Sequence, residues 1–221
     1  MSYDNTGTFT ILNEIGDGYA CNNQLPPLIG ADLDDIATGL TGLRTGAGSI
    51  GAVQLLTGSP VAVTHLNIVF GTLINTYKKF SIVFTNLQDS SDGDLVFQAS
   101  TDGGSTFDST ANAYTYFYQD IRNDGVQAHS FNNTTATSAI IGWGSSNANY
   151  ASGLTLDCYN LGGTTNFKQF SSTGTLGSGT SLYSFQGGAT YQGAVLPVNA
   201  LQFSSDGAGN LTFTVTVYGW R

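Results

Sequence analysis

From about residue 60 onward the chain reads as short runs of alternating apolar and polar side chains, separated by clusters of Gly, Ser, Asp and Asn. In NLTFTVTVYG, residues 210–219, Leu211, Phe213, Val215 and Val217 fall on one side and Thr212, Thr214 and Thr216 on the other. A period of two marks a strand with one face buried and one face wet. Similar runs predict strands over 61–70, 77–86, 94–100, 113–121, 137–143, 153–159, 166–171, 182–186 and 198–204. No helical pattern intervenes, so these strands must bury their apolar faces against one another. The predicted fold is all-β, an antiparallel β-sandwich with jelly-roll topology. Ser-Asp-Gly recurs in SSDGD at 90–94, STDGG at 100–104 and SSDGA at 204–208. The irregular spacing points to reused turn chemistry, not to a repeat architecture.

The first part of the chain breaks this pattern. Pro26–Pro27 and closely spaced glycines interrupt every periodic run, although Leu33, Ile36 and Leu40 allow one short helix capped by Asp32. Nothing here could build its own core, yet Leu25, Leu28, Ile29, Leu33, Ile36 and Leu40 make it too apolar for a solvated linker. Residues 1–58 are therefore expected to form an extended, mostly irregular N-terminal arm that contacts other subunits, and residues 59–221 the sandwich domain.

Composition narrows the function. Only 10% of the 221 residues are charged, against roughly 25% in an ordinary globular protein. Such a surface suits packing against copies of itself or other subunits. A net charge of −9 leaves too few Lys and Arg to neutralise phosphates, so no nucleic-acid partner is expected. No long apolar run predicts a membrane span, and MSYDNTGTF lacks the pattern of a signal peptide. Cys21 and Cys158 show no metal-binding spacing. Two reduced, mostly buried thiols are expected, with a bridge from arm to sandwich as the alternative.

Four groups of residues could carry chemistry. Ser100, Asp102, Gly104, Thr106 and Phe107, with Gly103 beside them, fit the S-x-D-x-G-x-T-[WF] pattern of the Asp-box, a hairpin that recurs in sialidase propellers. A sialidase-like site would also need an arginine cluster, and Arg44, Arg122 and Arg221 stand in unrelated contexts. Residues 99–108 are therefore predicted to form a structural hairpin turn. Asp89, Asp92, Asp94, Asp102 and Asp108 offer the oxygen ligands that Ca²⁺ requires. Without an EF-hand-type loop, solvated turn aspartates are the expectation, with no metal and no cofactor. His65 and His129 have no nucleophile elbow to serve, so no enzyme activity is expected. Tyr114, Tyr116 and Tyr118 share one face of a predicted strand and Phe117 takes the other. Such a tyrosine row suits core or subunit packing, with contact to a host glycan as the alternative.

STDGGSTFDSTANAYTYFY, followed much later by VNALQFSSDGAGNLTFTVTVYGWR, resembles a class of tailed-bacteriophage virion proteins. Those carry a D-G-G-x-T-[FY]-D-[ST]-x-A-x-x-Y hairpin, a Y-x-x-[FY] strand before it, matched here by Tyr77 to Phe80, and a final strand close to Y-G-[IW]. The resemblance covers roughly residues 75–221; where the class often has S-S-G-N before the last strand, this chain has Ser204-Ser205-Asp206-Gly207 with Asn210 displaced. It implies a non-enzymatic β-sandwich on the virion surface, assembled in the host cytoplasm, either decorating the capsid or attached to the tail. It also implies a homotrimer with partners such as the major capsid protein, and it carries over no catalytic residue.

Overall fold

The computed structural model describes residues 53–58, 62–147, 149–178 and 181–221. The chain runs β1 (Val53–Gly58), β2 (His65–Val69), a 3₁₀ turn (Gly71–Asn75), β3 (Lys79–Asp89), β4 (Asp94–Ser100), β5 (Tyr114–Arg122) and β6 (Gln127–Ala136). It continues with β7 (Ala139–Trp143), β8 (Ser152–Tyr159), β9 (Lys168–Ser178), β10 (Ser181–Tyr191), β11 (Ala200–Ser205) and β12 (Leu211–Trp220). There is no α-helix among the described residues. Two antiparallel sheets pack face to face: β1-β12-β3-β8-β9-β10-β5-β6, and β2-β11-β4-β7. The predicted antiparallel β-sandwich is present, with sheets of eight and four strands among the described residues.

The alternation read from the sequence is what fills the interior. Leu211, Phe213, Val215 and Val217 are all buried, while Thr212, Thr214 and Thr216 face outward. A run of aromatic rings spans the space between the sheets. Phe97 of the smaller sheet lies 4.5 Å from Phe170 and 5.8 Å from Tyr114 of the larger one, centroid to centroid. Phe203, beside it on β11, meets Phe84 at 5.1 Å, and Phe84 meets Phe213 at 5.4 Å. Edge-to-face contacts of this kind add about 0.5–1.5 kcal/mol each to the area they bury. Phe97 therefore sits in a seam that crosses from one sheet to the other.

One charged group is sealed inside. Lys168, at the start of β9, is fully buried, and its Nζ donates to the carbonyls of Gly163 (2.6 Å), Asn166 (2.9 Å) and Val195 (3.1 Å). Three acceptors satisfy its three protons, and burial pulls its pKa down. The ammonium clamps two irregular connections together where no strand pairing can.

The sequence reading missed or shortened four strands. β1 falls at the end of the stretch expected to be arm, yet it pairs with β12 from Val53↔Gly219 to Gly58↔Val215. The compact unit accordingly spans Ile50–Arg221, and the sandwich begins earlier than residue 59. Residues 1–52 lie outside the described residues, and with them Cys21, the candidate helix and the arm residues Leu25, Leu28, Ile29, Leu33, Ile36 and Leu40. β6 reads QAHSFNNTTA, too polar to register as a strand; it is the outermost strand of its sheet and has one pairing partner, β5. β9 and β10 are longer than predicted because Ser172, Gly174 and Gly187 stand where an apolar residue would normally reveal the period. Phe185 explains one of these: a Cβ on Gly174 would come within 2.3 Å of its ring.

Phe97→Ala should empty the middle of the aromatic seam and cost about 3–5 kcal/mol, as other buried aromatics do. Urea unfolding should show a lowered midpoint with an unchanged slope.

Candidate functional site

Residues 99–108 do not form a hairpin. β4 pairs with β11 and β7, and β5 pairs with β10 and β6, so residues 101–113 carry the chain from the smaller sheet to the larger. The turn chemistry was legible, but its destination was not, because a tight turn looks the same locally whichever sheet the next strand joins. Ser100 Oγ donates to Asp102 Oδ1 (2.7 Å) and accepts from the amide of Gly104 (2.9 Å). Asp102 Oδ1 accepts from the Thr106 amide (3.0 Å) and Oδ2 from the Thr106 hydroxyl (2.6 Å). Gly103 and Gly104 have φ of 81° and 87°, which side chains rarely adopt, and the Gly103 amide donates to Asn199 Oδ1 (2.8 Å). A Cβ on Gly104 would touch Ala200 and Val69 at 3.4 Å, with half-buried Phe107 at 3.6 Å. Hydrogen bonds from Thr106 and Ser100 hold the Asp102 carboxyl well below its ordinary range.

The crossing is closed by a tyrosine. Beyond Phe97 the ladder between β4 and β7 has ended, which would leave Ala99 without a partner on that side. Instead the Ala99 amide donates to the Tyr114 hydroxyl (2.7 Å), which donates to the carbonyl of Asp108 (2.9 Å); the Asp108 amide returns to the Ala99 carbonyl (2.8 Å). The Asp108 carboxylate accepts from the Thr110 amide (2.9 Å) and the Tyr191 hydroxyl (2.8 Å). Burial alone would raise the pKa of Asp108, but these hydrogen bonds outweigh it and hold the group below its ordinary value. Burial pushes Tyr114 and Tyr191 far above the usual phenol range, so both stay protonated donors.

The tyrosine row therefore points inward. Tyr114 and Tyr118 are buried in the core and Tyr116 is half-buried against it. The face of β5 that reaches solvent carries Thr115, Phe117, Gln119 and Ile121, with Phe117 52% exposed. Sequence parity separated Phe117 from the tyrosines correctly, but it could not say which face is wet. Phe117 lies across Gly188 of β10, where a Cβ would stand 2.7 Å from the ring. On the same outward face are two shallow hollows. One, of about 660 Å³, is lined by Gln119, Thr155, Thr173, Thr175, Ser184 and Gln186 among others. The second, of about 510 Å³, is lined by Phe117, Asn132, Thr134, Gln169 and Thr190 among others.

This outward face is the candidate binding surface. Its hollows offer hydroxyls, carboxamides and one exposed ring, and their walls hold no carboxylate, imidazole, thiol or amine. They can hold a neutral polar ligand or a neighbouring polypeptide, and they offer no group that transfers protons near neutral pH.

The remaining sequence candidates are dispersed. His65 is exposed on β2 of the other sheet, within 3.1 Å of the Thr64 hydroxyl. The side chain of His129 lies outside the described residues. Cys158 is a free, fully buried thiol whose pKa is pushed well up by burial. Asp102 and Asp108 belong to the crossing, whereas Asp92 and Asp94 stand at another hollow with Asp120 and Asp206. Asp89 is buried, with Oδ1 accepting from the amide and hydroxyl of Ser91 (2.9 and 2.8 Å). No group of three or more His, Cys, Asp or Glu among the described residues is placed to hold a metal ion. Comparison with protein-family models, curated proteins and solved structures finds no match for this chain.

Tyr114→Phe should leave the Ala99 amide buried without an acceptor and cost about 1–3 kcal/mol in denaturant unfolding. The carboxylates of the crossing also set a pH dependence. Because the folded-state pKa values of Asp102 and Asp108 are depressed, their contribution is present above the unfolded carboxylate range, near pH 4, and lost as the pH falls through the folded values. Thermal melts between pH 5 and pH 2 should fall more steeply for the wild type than for Asp102→Asn.

Proposed function

We propose that this chain is a non-enzymatic structural protein of a bacteriophage virion, decorating the capsid surface as a homotrimer that grips the major capsid protein. The observation that carries this reading is the outward face of the eight-stranded sheet, which the second sheet does not cover. That face carries uncharged hollows together with exposed Phe117, Ile121 and Leu182 on the neighbouring strands β5 and β10. Val126, also exposed, stands close by in the β5–β6 turn. Apolar side chains grouped on a surface this poor in charge are most readily stabilised by a neighbouring subunit. The resemblance of residues 75–221 to tailed-phage virion proteins supplies the setting, and assembly in the host cytoplasm follows from it.

A second reading makes the chain a tail-fibre or tail-tip component that binds a host glycan. The exposed Phe117 ring favours it, because it is flanked by the hydroxyl and carboxamide groups that a neutral sugar would pair with.

Two measurements test the proposal. Light scattering on the full chain should give a trimer mass, and Phe117→Asp with Ile121→Asp should reduce it to that of a monomer with unchanged β-type circular dichroism. Antibody labelling of purified particles in the electron microscope should place the chain on the head. Labelling of the tail would favour the glycan reading, and a monomer absent from the particle would overturn both.

A further inference from the structure

Away from the outward face, a hollow of about 290 Å³ opens among the β3–β4 turn, the ends of β4 and β7, the turn after β11, and strands β5 and β6. Four carboxylates line it: Asp92, Asp94, Asp120 and Asp206. Three aromatic rings, Tyr118, Phe131 and Trp143, complete the wall. Two of these carboxylates are held in place by their neighbours. Asp206 Oδ1 accepts from the Asp94 amide (2.8 Å), and Asp92 Oδ2 accepts from the Ser146 hydroxyl (2.7 Å). Hydrogen bonds from Ser146 keep the Asp92 carboxyl below its ordinary range, so it stays ionised at neutral pH. Trp143 Nε1 donates to the Asp92 carbonyl (3.0 Å), and Tyr118 stacks on Phe131 at 6.2 Å. Gly93 lets the turn close tightly beside the hollow, since a Cβ there would stand 2.5 Å from Ser205 Oγ and 2.9 Å from Asp89 Oδ2.

A second observation points to an occupant. Tyr118 is only 2% exposed, and its hydroxyl has no hydrogen-bond partner. Asp120 and Asp94, both lining the hollow, lie close enough to act electrostatically on that hydroxyl. A buried hydroxyl left unpaired is costly in a folded chain, and one turned toward a lined hollow is a group waiting for a donor or acceptor.

Carboxylates combined with aromatic faces suit an organic cation, whose charge pairs with the acids while its flat or alkyl surface rests on the rings. A bare metal ion fits less well, because no three acidic groups here converge on one point. We propose that this hollow receives the guanidinium or ammonium of an arginine or lysine side chain presented by a partner protein. Charge complementarity argues for a partner, because the chain carries six basic residues against fifteen acidic ones. This site is independent of the proposed virion role.

The test is a titration of the full, ¹⁵N-labelled chain with N-acetyl-arginine methylamide and N-acetyl-lysine methylamide, followed at the Trp143 indole and the Asp94 amide. Saturable shifts with either cation, absent with the neutral N-acetyl-glutamine methylamide, are expected, and the stronger of the two identifies the side chain. Asp206→Asn keeps the acceptor for the Asp94 amide and should weaken binding about fivefold. Tyr118→Phe should weaken it as well while leaving the thermal midpoint no lower, which a purely structural hydroxyl would not do. Equal shifts with the neutral amide, shifts produced by Ca²⁺ alone, or no shift with either cation would each overturn the proposal.

Discussion

The Tyr114 hydroxyl solves the problem that every sandwich meets where its chain leaves one sheet for the other. A strand that runs past the end of its neighbour exposes an amide and a carbonyl to a dry interior. At Ala99 both are answered from the crossing itself, the amide by Tyr114 and the carbonyl by the amide of Asp108. Tyr114 is also the first residue of β5 and part of the aromatic seam, so one side chain sets the path of the turn and joins the two sheets. The spacing from Asp108 to Tyr114 is what lets the loop return to the strand it has just left. Ser100, Asp102 and the two glycines then fold the rest of the crossing tightly enough for that return.

With its sheets joined from inside, the sandwich does not depend on its outward surface for stability. That frees the wide face of the eight-stranded sheet to be covered by Thr, Ser, Gln and Gly, residues that contribute little to a core and desolvate at modest cost when another surface arrives. Phe117 can lie exposed there because Gly188 leaves the sheet flat beneath it. The acidic hollow follows a different rule. Asp92 and Asp206 are fixed there by an amide and a hydroxyl of neighbouring segments, so a charged ligand would find them already oriented.

Much of this was legible in the sequence where burial divides cleanly between alternate residues, as in β8 and β12. It was not legible where a long-range partner supplies the bulk, as Phe185 does over Gly174, or where a strand lies at a sheet edge and needs no apolar signature, as in β6. The tyrosines of β5 show a third limit. Parity separates their face from that of Phe117, but tyrosine is equally at home in a core and on a surface, so parity alone does not say which side is wet. The acidic hollow could not be read at all. Asp92, Asp120 and Asp206 are far apart in the chain and become neighbours only through strand order.

Lys168 has a consequence for handling the molecule. All three of its ammonium protons are committed to carbonyls and none of its surface meets water, so an acylating reagent cannot reach it without opening the fold. The only other lysines, Lys78 and Lys79, are adjacent at the start of β3. Amine coupling to a bead, a dye or a grid would therefore attach the folded sandwich through that one corner, apart from the chain's own N-terminus. Molecules attached through these lysines would share one orientation, with the acidic hollow left unmodified.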